Sequence, residues 1–205
     1  MAKQERAVRT RETLVRCAAE IFDREGFTVA SLTMISTLAG VSNGALHFHF
    51  ASKAALADAV EHAALQRLRA LTEEEHREGS GYLQHLVSVT HGLARGLRGD
   101  MVLRAGFKLS GDRSRPCRTD LRGHWQRWVE EEMARAGDKA ELHPGVAPQS
   151  AVNAVVGATV GFEVLGTRDA AWLSERTITQ FWELLLPSLA SGDVLSTIGT
   201  AGGAH

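Results

Sequence analysis

The sequence has only two cysteines, Cys17 and Cys117, and a single tyrosine among its 205 residues. Two thiols cannot build a disulfide framework, so the chain is not a disulfide-stabilised secreted domain, and we expect it in the reducing cytoplasm. No run of about eighteen apolar residues is present, which excludes a transmembrane helix. The charged beginning MAKQERAVRTR also lacks the apolar core of a signal peptide.

Motifs of catalytic and metal sites are also missing. There is no glycine-rich phosphate loop and no GxSxG elbow, and neither cysteine has an evident base beside it. His47 and His49 are two residues apart, and on a helix such side chains point about 200° apart, so they cannot bind one metal ion together. The sequence therefore indicates no enzyme, no cofactor and no metal site.

Apolar residues recur at intervals of three and four along most of the chain, and no segment alternates at period two. We therefore predict an all-α protein. Capping residues, glycines and prolines mark the expected ends of the helices, and the segment after residue 190 has little to bury and is expected to be frayed. The expected helices are about 4–25, two short ones described below, 53–78, 82–97, 101–109, 121–136, 150–165 and 173–189.

The segment SLTMISTLAGVSNGALHFHFASK, which begins at Ser31, has the features of two short helices joined by a tight turn. Ser31 can cap the first helix, and Gly40 can adopt the left-handed backbone conformation that ends it. Ser42 can cap a second helix that extends to Phe50. This arrangement predicts a helix-turn-helix, whose second helix normally lies in the major groove of DNA.

The residues of this segment resemble the DNA-binding signature of TetR-type repressors. The resemblance rests on Ile35, AGVS at 39–42, GAL at 44–46, FHF at 48–50 and SK at 52–53. It implies a three-helix helix-turn-helix DNA-binding head over residues 1–53. A helical ligand-binding and dimerisation domain would then follow over 54–205, with 54–78 as the connecting helix.

Other segments resemble one branch of this family, the γ-butyrolactone receptors. They are MAKQERAVRTRETL at the start of the chain, NGALHFHFASK in the head, VLRAGFKLS at 102–110, and Trp128. The branch implies a dimeric repressor on a palindromic double-stranded DNA operator. A small hydrophobic effector such as a γ-butyrolactone would release it by binding the carboxy-terminal domain.

In that branch the tryptophan corresponding to Trp128 lines the effector pocket. From the residues alone, an ordinary core position is the simpler interpretation, because Trp125 is three residues away and can share its face. The resemblance reverses that preference. We expect the remaining pocket residues to be Val89, Leu93, Leu109, Thr159 and Val160, since a mostly apolar cavity between helices suits a small hydrophobic effector.

Residues 1–53 carry a net charge of +2 and the remaining residues −3, and a basic head suits contacts with phosphates. We expect Asn43, Gly44 and Ala45 to face base edges. Lys53 is expected to bind a phosphate beside the N-terminus of the next helix. The other DNA-binding candidates are Arg9, Ser31, Thr33, Ser42, His47 and His49, and it is left open which of the two histidines contacts a phosphate.

Two recognition-helix residues depart from the branch pattern. Asn43 stands where lysine is usual, and His47 stands where tyrosine is usual. Asparagine can still pair with adenine, and a neutral histidine can donate one hydrogen bond. These differences therefore change the expected operator sequence and leave DNA binding itself in place.

The helix expected at 150–165 is nearly apolar all round and rich in small residues. Four of them recur at three- and four-residue spacing, which permits close approach of another helix: Ala154, Gly157, Ala158 and Gly161. Each glycine weakens a helix by roughly 1 kcal/mol, so we expect a packing role. We predict a homodimer in which the last two helices of each subunit form a four-helix bundle, with burial inside one chain as the alternative.

Two other functions are compatible with the sequence. One is a regulator of the same fold that responds to an antibiotic or its intermediate, or to no ligand. The other is a ligand-binding protein or enzyme whose head has lost its affinity for DNA.

Overall fold

The structure is a computed structural model that describes residues 2–73, 80–116 and 118–201. Within these ranges the regular structure is helical, apart from one isolated antiparallel bridge between Leu142 and Ala190, which confirms the all-α prediction. None of the described helices is long and apolar enough to span a membrane. The helices are α1 (Ala2–Val29), α2 (Leu32–Leu38), α3 (Asn43–His49), α4 (Lys53–Thr72), α5 (Tyr82–Gly99), α6 (Met101–Ser110), α7 (Leu121–Asp138), α8 (Pro148–Gly166), a 3₁₀ helix (Ala170–Leu173), α9 (Glu175–Leu189) and α10 (Gly192–Leu195).

The contacts of the chain divide it into two compact units. The first unit comprises Met1–Arg67 and Asp100–Leu121, and the second comprises Leu68–Gly99 and Arg122–His205. The sequence analysis divides the chain after residue 53, whereas here most of α4 and all of α6 belong with the helix-turn-helix.

In the first unit, α6 is tied to α1 by charge and packs closely on α4. Arg104 and Lys108 both contact the carboxylate of Asp23, with Nη2–Oδ2 and Nζ–Oδ1 distances of 3.0 and 2.6 Å. Gly106 faces Ala64 of α4 so closely that a Cβ at position 106 would collide with the Cβ of Ala64. These long-range contacts explain why α6 joins the first unit.

In the second unit, the N-terminus of α5 is capped from a distance. The carboxylate of Glu141 accepts hydrogen bonds from the backbone N–H groups of Tyr82 and Leu83, at 3.0 and 2.9 Å. The buried core includes large side chains from α5, α7 and α9, among them Leu86, Trp125 and Trp182.

The helix ends agree with the sequence prediction at two glycines and differ at α9. The backbone of α1 leaves helical geometry at Gly26 (φ 76°, ψ 167°), just past the predicted end at residue 25, and a short helical segment up to Val29 follows this kink. Gly40 does end α2 with the predicted positive φ, 65°. The helix α9 begins at Glu175 rather than at residue 173, because the Ser174 hydroxyl accepts from the N–H of Thr177 and caps it.

The prediction that α4 continues to about residue 78 falls partly on residues 74–79, which lie outside the described residues. The prediction of a frayed segment after residue 190 is wrong for its described part. It contains α10, and the backbone carbonyl of Thr200 lies 2.9 Å from Nε2 of His91.

Candidate DNA-binding surface and effector cavity

The helix-turn-helix forms as the sequence predicts. Ser31 and Ser42 cap α2 and α3, since their hydroxyl oxygens accept from the N–H groups of Met34 and Ala45, at 3.2 and 3.1 Å. Ile35 on α2 and Leu46 on α3 are buried, which fixes the inner faces of the two helices. Both serine hydroxyls remain on the partly or fully exposed side, where their O–H groups can donate to a phosphate.

The face of α3 that points to solvent is set by two buried residues. Because Leu46 and Phe50 are buried, the exposed positions are Asn43, Gly44, His47 and Phe48, whereas the predicted contacts Ala45 and His49 are half-buried. Of these, Phe48 was missed by the sequence analysis, although its side chain is 81% exposed. An apolar ring on a recognition helix can contact the C5-methyl group of thymine. The signal for it was an aromatic residue on the face opposite to Leu46.

The side chain of Asn43 is not free. Its Oδ1 accepts a 2.6 Å hydrogen bond from Oγ of Ser36, which joins α2 to α3. Bidentate recognition of adenine needs both the amide oxygen and the amide N–H₂ group. Since the oxygen is engaged by Ser36, the N–H₂ group is the part of Asn43 that is available to a base.

The structure corrects the role expected for the Lys53 ammonium. Its Nζ donates to the backbone carbonyls of Phe27, Thr28 and Ala30, at 2.7, 3.2 and 2.8 Å, and lies 4.6 Å from the ring centroid of Phe27. Three carbonyls use all three N–H donors of an ammonium. The side chain therefore stabilises the end of α1 and is not available to a phosphate in this arrangement.

The start of α4 still presents phosphate-binding groups. Ser52 caps α4 through a 3.1 Å hydrogen bond from the N–H of Ala55, which leaves N–H groups of the first turn for an anion. Among the other candidates, Thr33 is exposed beside the cap of α2, and Arg9 is exposed on α1. These groups lie in the first unit, together with α3.

A buried ion cluster lies behind the helix-turn-helix. The guanidinium of Arg115 contacts the carboxylates of Glu61 and Asp58, each at 2.5 Å, and lies 5.4 Å from the ring centroid of Phe27. Glu61 is completely buried, and burial raises the pKa of its carboxyl group, although the hydrogen bond from Arg115 opposes the shift. The cluster therefore connects the segment after α6 with α4 and with the end of α1.

In the second unit, Trp128 belongs to a cluster of aromatic rings whose indole N–H groups donate hydrogen bonds. Its ring stacks on that of Trp125, with centroids 5.1 Å apart, and its Nε1 donates to the carbonyl of Thr72 at 3.1 Å. Nε1 of Trp125 donates to Oγ1 of Thr159 at 2.8 Å. The ring of His85 meets Trp128 edge-on, with centroids 5.6 Å apart.

A cavity adjoins Thr159, but its free volume is very small. Its volume is about 10 Å³, which is room for a single water molecule. Of the predicted pocket residues, Leu93 and Thr159 line it. The complete lining is Thr90, Leu93, Ala94, Leu97, Thr159, Phe162, Leu173 and Ile178.

The remaining predicted pocket residues are placed differently. Val89 and Trp128 are buried in the second unit, and Val160 is half-exposed on α8. Leu109 lies on α6, which belongs to the first unit. The structure therefore brings Leu93, Thr159 and, through Trp125, Trp128 together within the second unit.

The helices α8 and α9 expose large apolar side chains. Leu184 on α9 is 81% exposed, and Val164 and Leu165 on α8 are 47% and 41% exposed. The predicted small residues lie on accessible parts of α8. Ala154 and Gly157 are exposed, Ala158 and Gly161 are half-buried, and a Cβ at either glycine would meet nothing within 4 Å.

Comparison with known proteins identifies similar sequences. The family model described as "Bacterial regulatory proteins, tetR family" matches residues 14–60. The chain is 33% identical to the A-factor receptor protein of Streptomyces griseus, over 98% of this chain and 71% of that protein. It is 29% identical to the HTH-type transcriptional regulator UidR of Escherichia coli strain K12, over 70% of this chain and 74% of that protein.

Solved structures show the same helical fold. A crystal structure of a gamma-butyrolactone receptor (ArpA-like protein) matches with a TM-score of 0.78 and 28% identity, over 93% of both chains. CprB from Streptomyces coelicolor, in complex with its biological operator sequence, matches with a TM-score of 0.77 and 29% identity, also over 93% of both chains.

Proposed function

Because the chain belongs to the TetR family of bacterial regulatory proteins and is an effector-controlled DNA-binding repressor, we propose that its effector is a small hydrophobic molecule of the γ-butyrolactone class. We further propose that it acts as a homodimer on a double-stranded operator in the cytoplasm. Membership of a regulator family also supports a function without catalysis. The observation that carries the effector class is the 33% identity to the A-factor receptor protein, and the fold of a gamma-butyrolactone receptor supports it.

For operator binding, α3 enters the major groove and presents Asn43, Gly44, His47 and Phe48 to base edges. Phosphate contacts come from the serine caps of α2 and α3, from Thr33 and Arg9, and from the first turn of α4. Phosphate contacts fix the register of the protein, and the base contacts select the sequence. The Lys53 ammonium supports this surface from behind by holding the end of α1.

We propose that the effector site is formed by the rings of Trp128 and Trp125, by Thr159, and by the cavity at Leu93. The cavity of about 10 Å³ is too small for a lactone, so binding requires that the surrounding helices separate. An effector can shift the protein only by its differential affinity for the open and closed states. About 2–3 kcal/mol of such preference would cause a large loss of operator occupancy.

A Trp128→Phe and Trp128→Ala series tests the effector site. We expect both variants to bind the upstream DNA of the gene as the wild type does, because Trp128 lies in the second unit. Trp128→Ala should lose release by added γ-butyrolactones, and Trp128→Phe should keep part of it. The measurement is fluorescence anisotropy of labelled operator during lactone titration. Unchanged release in Trp128→Ala would remove Trp128 from the site.

One observation favours a second candidate, a regulator of the same fold that responds to another ligand or to none. The cavity lined by Leu93 and Thr159 has a volume of only about 10 Å³, which is too small for an effector. In that case the operator would be bound in a salt-dependent way, as expected for phosphate contacts, but no lactone would release it. The same anisotropy titration on the wild type separates the two functions.

A further inference from the structure

A cleft of about 660 Å³ lies in the first unit between the N-terminal half of α1 and the face of α4. It is separate from the small cavity of the second unit, and of the predicted site residues only Arg9 lines it. The complete lining is Arg9, Arg11, Glu12, Thr13, Val15, Arg16, Ala59, His62, Ala63, Arg67 and Val102.

The wall of the cleft is strongly basic. Three arginines come from α1, namely Arg9, Arg11 and Arg16, and Arg67 comes from α4, against the single carboxylate of Glu12. Arg67 forms an ion pair with Asp100. Within the described parts of the chain, the guanidinium groups of the three α1 arginines have no carboxylate within ion-pair distance. None of these three guanidinium groups therefore forms an ion pair with a described carboxylate, and Glu12 is the one acidic residue in the lining.

Apolar groups complete the lining. Val15 and Val102 are buried, and Ala59 and Ala63 are partly covered. The guanidinium of Arg11 lies 5.1 Å from the ring centroid of Phe50, so this side chain already stacks on a flat ring. A guanidinium combines two forms of recognition, since its plane stacks on aromatic rings and its N–H groups bind phosphate in a bidentate manner.

We propose that this cleft is a binding site for a phosphorylated small molecule with a flat aromatic ring, of the nucleoside monophosphate class. The phosphate lies against the unpaired guanidinium groups of α1, and the ring lies on the apolar lining of α4 and α6. A volume of 660 Å³ is within the range of clefts that bind drug-sized ligands, about 300–1,000 Å³.

The shape of the cleft favours a small molecule over the operator backbone. Apart from Arg9, which lines the cleft, the proposed operator contacts lie at the N-termini of α2, α3 and α4. Arg67 is fourteen residues beyond the start of α4 at Lys53, which is about 21 Å along a helix. A cleft that extends this far from the start of α4, with buried valines in its lining, suits a ligand that enters it.

The test is isothermal titration calorimetry on the full chain without DNA. The probes are adenosine 5′-monophosphate, neutral adenosine and inorganic phosphate. The monophosphate should bind more tightly than either of the other two, because it alone uses both the basic and the apolar parts of the cleft. Absence of heat with the monophosphate, or equal affinity for adenosine, would overturn the proposal.

Two variants locate the binding. Arg16→Gln should weaken binding of the monophosphate by about tenfold or more, as expected for loss of one charge-assisted contact. Arg113→Gln is the matched control, because Arg113 is an exposed arginine of the same unit that does not line the cleft. Equal weakening in both variants would show only general attraction of anions and would overturn the site.

Operator titrations in parallel address the competing occupant. If Arg16→Gln lowers the salt dependence of operator binding by about one unit of slope, and the wild type does not bind the free monophosphate, then the cleft contacts DNA backbone and the small-molecule assignment is wrong. Since the calorimetry contains no DNA, its result is independent of whether the chain binds an operator.

Discussion

At the scale of single residues, polar side chains near the recognition helix have partners that sequence spacing cannot predict. The sequence places Lys53 correctly at the start of α4, yet its ammonium donates hydrogen bonds to carbonyls 23 to 26 residues earlier in the chain. Asn43 is exposed as predicted, yet its amide oxygen belongs to Ser36. Periodicity predicts which face a residue occupies, whereas the reach of a long side chain depends on neighbours brought close only by folding.

Phe48 offers a direct test of base contact at the atomic level. We expect Phe48→Ala to weaken operator binding, because it removes an 81% exposed ring that can cover thymine methyl groups. Replacing each operator thymine in turn with deoxyuridine removes one methyl group and nothing else. At the contacted position, this replacement should weaken the wild type and leave Phe48→Ala unaffected, as measured by anisotropy in a double-mutant cycle.

Leu38→Ala is the control for that cycle, since Leu38 is a large exposed apolar residue of α2 rather than of the recognition helix. Its response to deoxyuridine should match that of the wild type at each position. If Phe48→Ala loses the same affinity on every substituted operator as on the unmodified one, the ring does not contact a thymine methyl group.

Burial also gives Glu61 a predictable dependence on pH. Burial raises the pKa of this carboxyl above its ordinary value of 4.5, so the folded state holds the proton more tightly than the unfolded chain. Its stabilising contribution is therefore complete below about pH 4.5 and is lost as the pH rises through the raised pKa. Glutamine does not titrate, so the stability advantage of the wild type over Glu61→Gln should fall with increasing pH.

Urea unfolding of both proteins between about pH 4.5 and 7, followed by circular dichroism, measures this difference. Glu5→Gln is the control for loss of a carboxylate, because Glu5 is exposed on α1. A difference between wild type and Glu61→Gln that is constant with pH, or that parallels the control, would contradict the assignment. Arg115 and Asp58, the charged neighbours of Glu61, remain unchanged in both proteins.

At the scale of helices, local chemistry predicts the elements well and their packing poorly. The serine caps and Gly40 fix α2, α3 and the turn between them, and all three lie where the sequence places them. Gly26 also interrupts α1 where the sequence predicts its end, because glycine tolerates the positive φ that breaks helical geometry. The grouping of α6 with α1 and α4 was not predictable, since it depends on contacts such as Arg104 with Asp23, which are 81 residues apart.

Among the described glycines for which neighbours of an added Cβ are known, Gly106 leaves that atom the least space. Gly106→Ala places a Cβ against the Cβ of Ala64, so α4 and α6 must separate or distort. We expect a loss of roughly 1–3 kcal/mol, the usual cost of overpacking, although alanine favours a helix over glycine. Thermal and urea unfolding measure the effect.

The pair Ala64→Gly with Gly106→Ala provides the control within the same contact. Exchanging the two residues returns one methyl group to the interface, so the double variant should recover part of the stability lost in Gly106→Ala. Additive losses in the double variant would show that the contact between α4 and α6 does not limit the size of residue 106.

For the whole molecule, the distribution of exposed apolar side chains favours assembly. Leu184, Val164 and Leu165 are exposed on two helices that are close in sequence, and monomers rarely expose large apolar patches without a function. The small residues of α8 add accessible surface on which another helix can approach closely. The sequence predicted the last two helices, α8 and α9, as the contact helices, but the exposure of Leu184 required the folded chain, because the apolar positions of α9 do not distinguish core from interface.

Leu184→Glu should therefore convert the proposed dimer to a monomer, because it would place a charge in the apolar interface at both copies of a symmetric contact. Sedimentation equilibrium measures the mass, and operator titration measures the consequence. In a dimer, the two DNA-binding heads occupy half-sites about 34 Å apart in a single binding event. A monomer has only one head, so its affinity for the operator should fall by about 10²-fold or more. Leu195→Glu is the control, because Leu195 is an exposed leucine on α10, and this variant should remain dimeric with full operator affinity.

A Leu184→Glu protein that sediments as a dimer would place the interface elsewhere on the chain. A monomer that binds the operator as tightly as the wild type would mean that one head is sufficient for recognition.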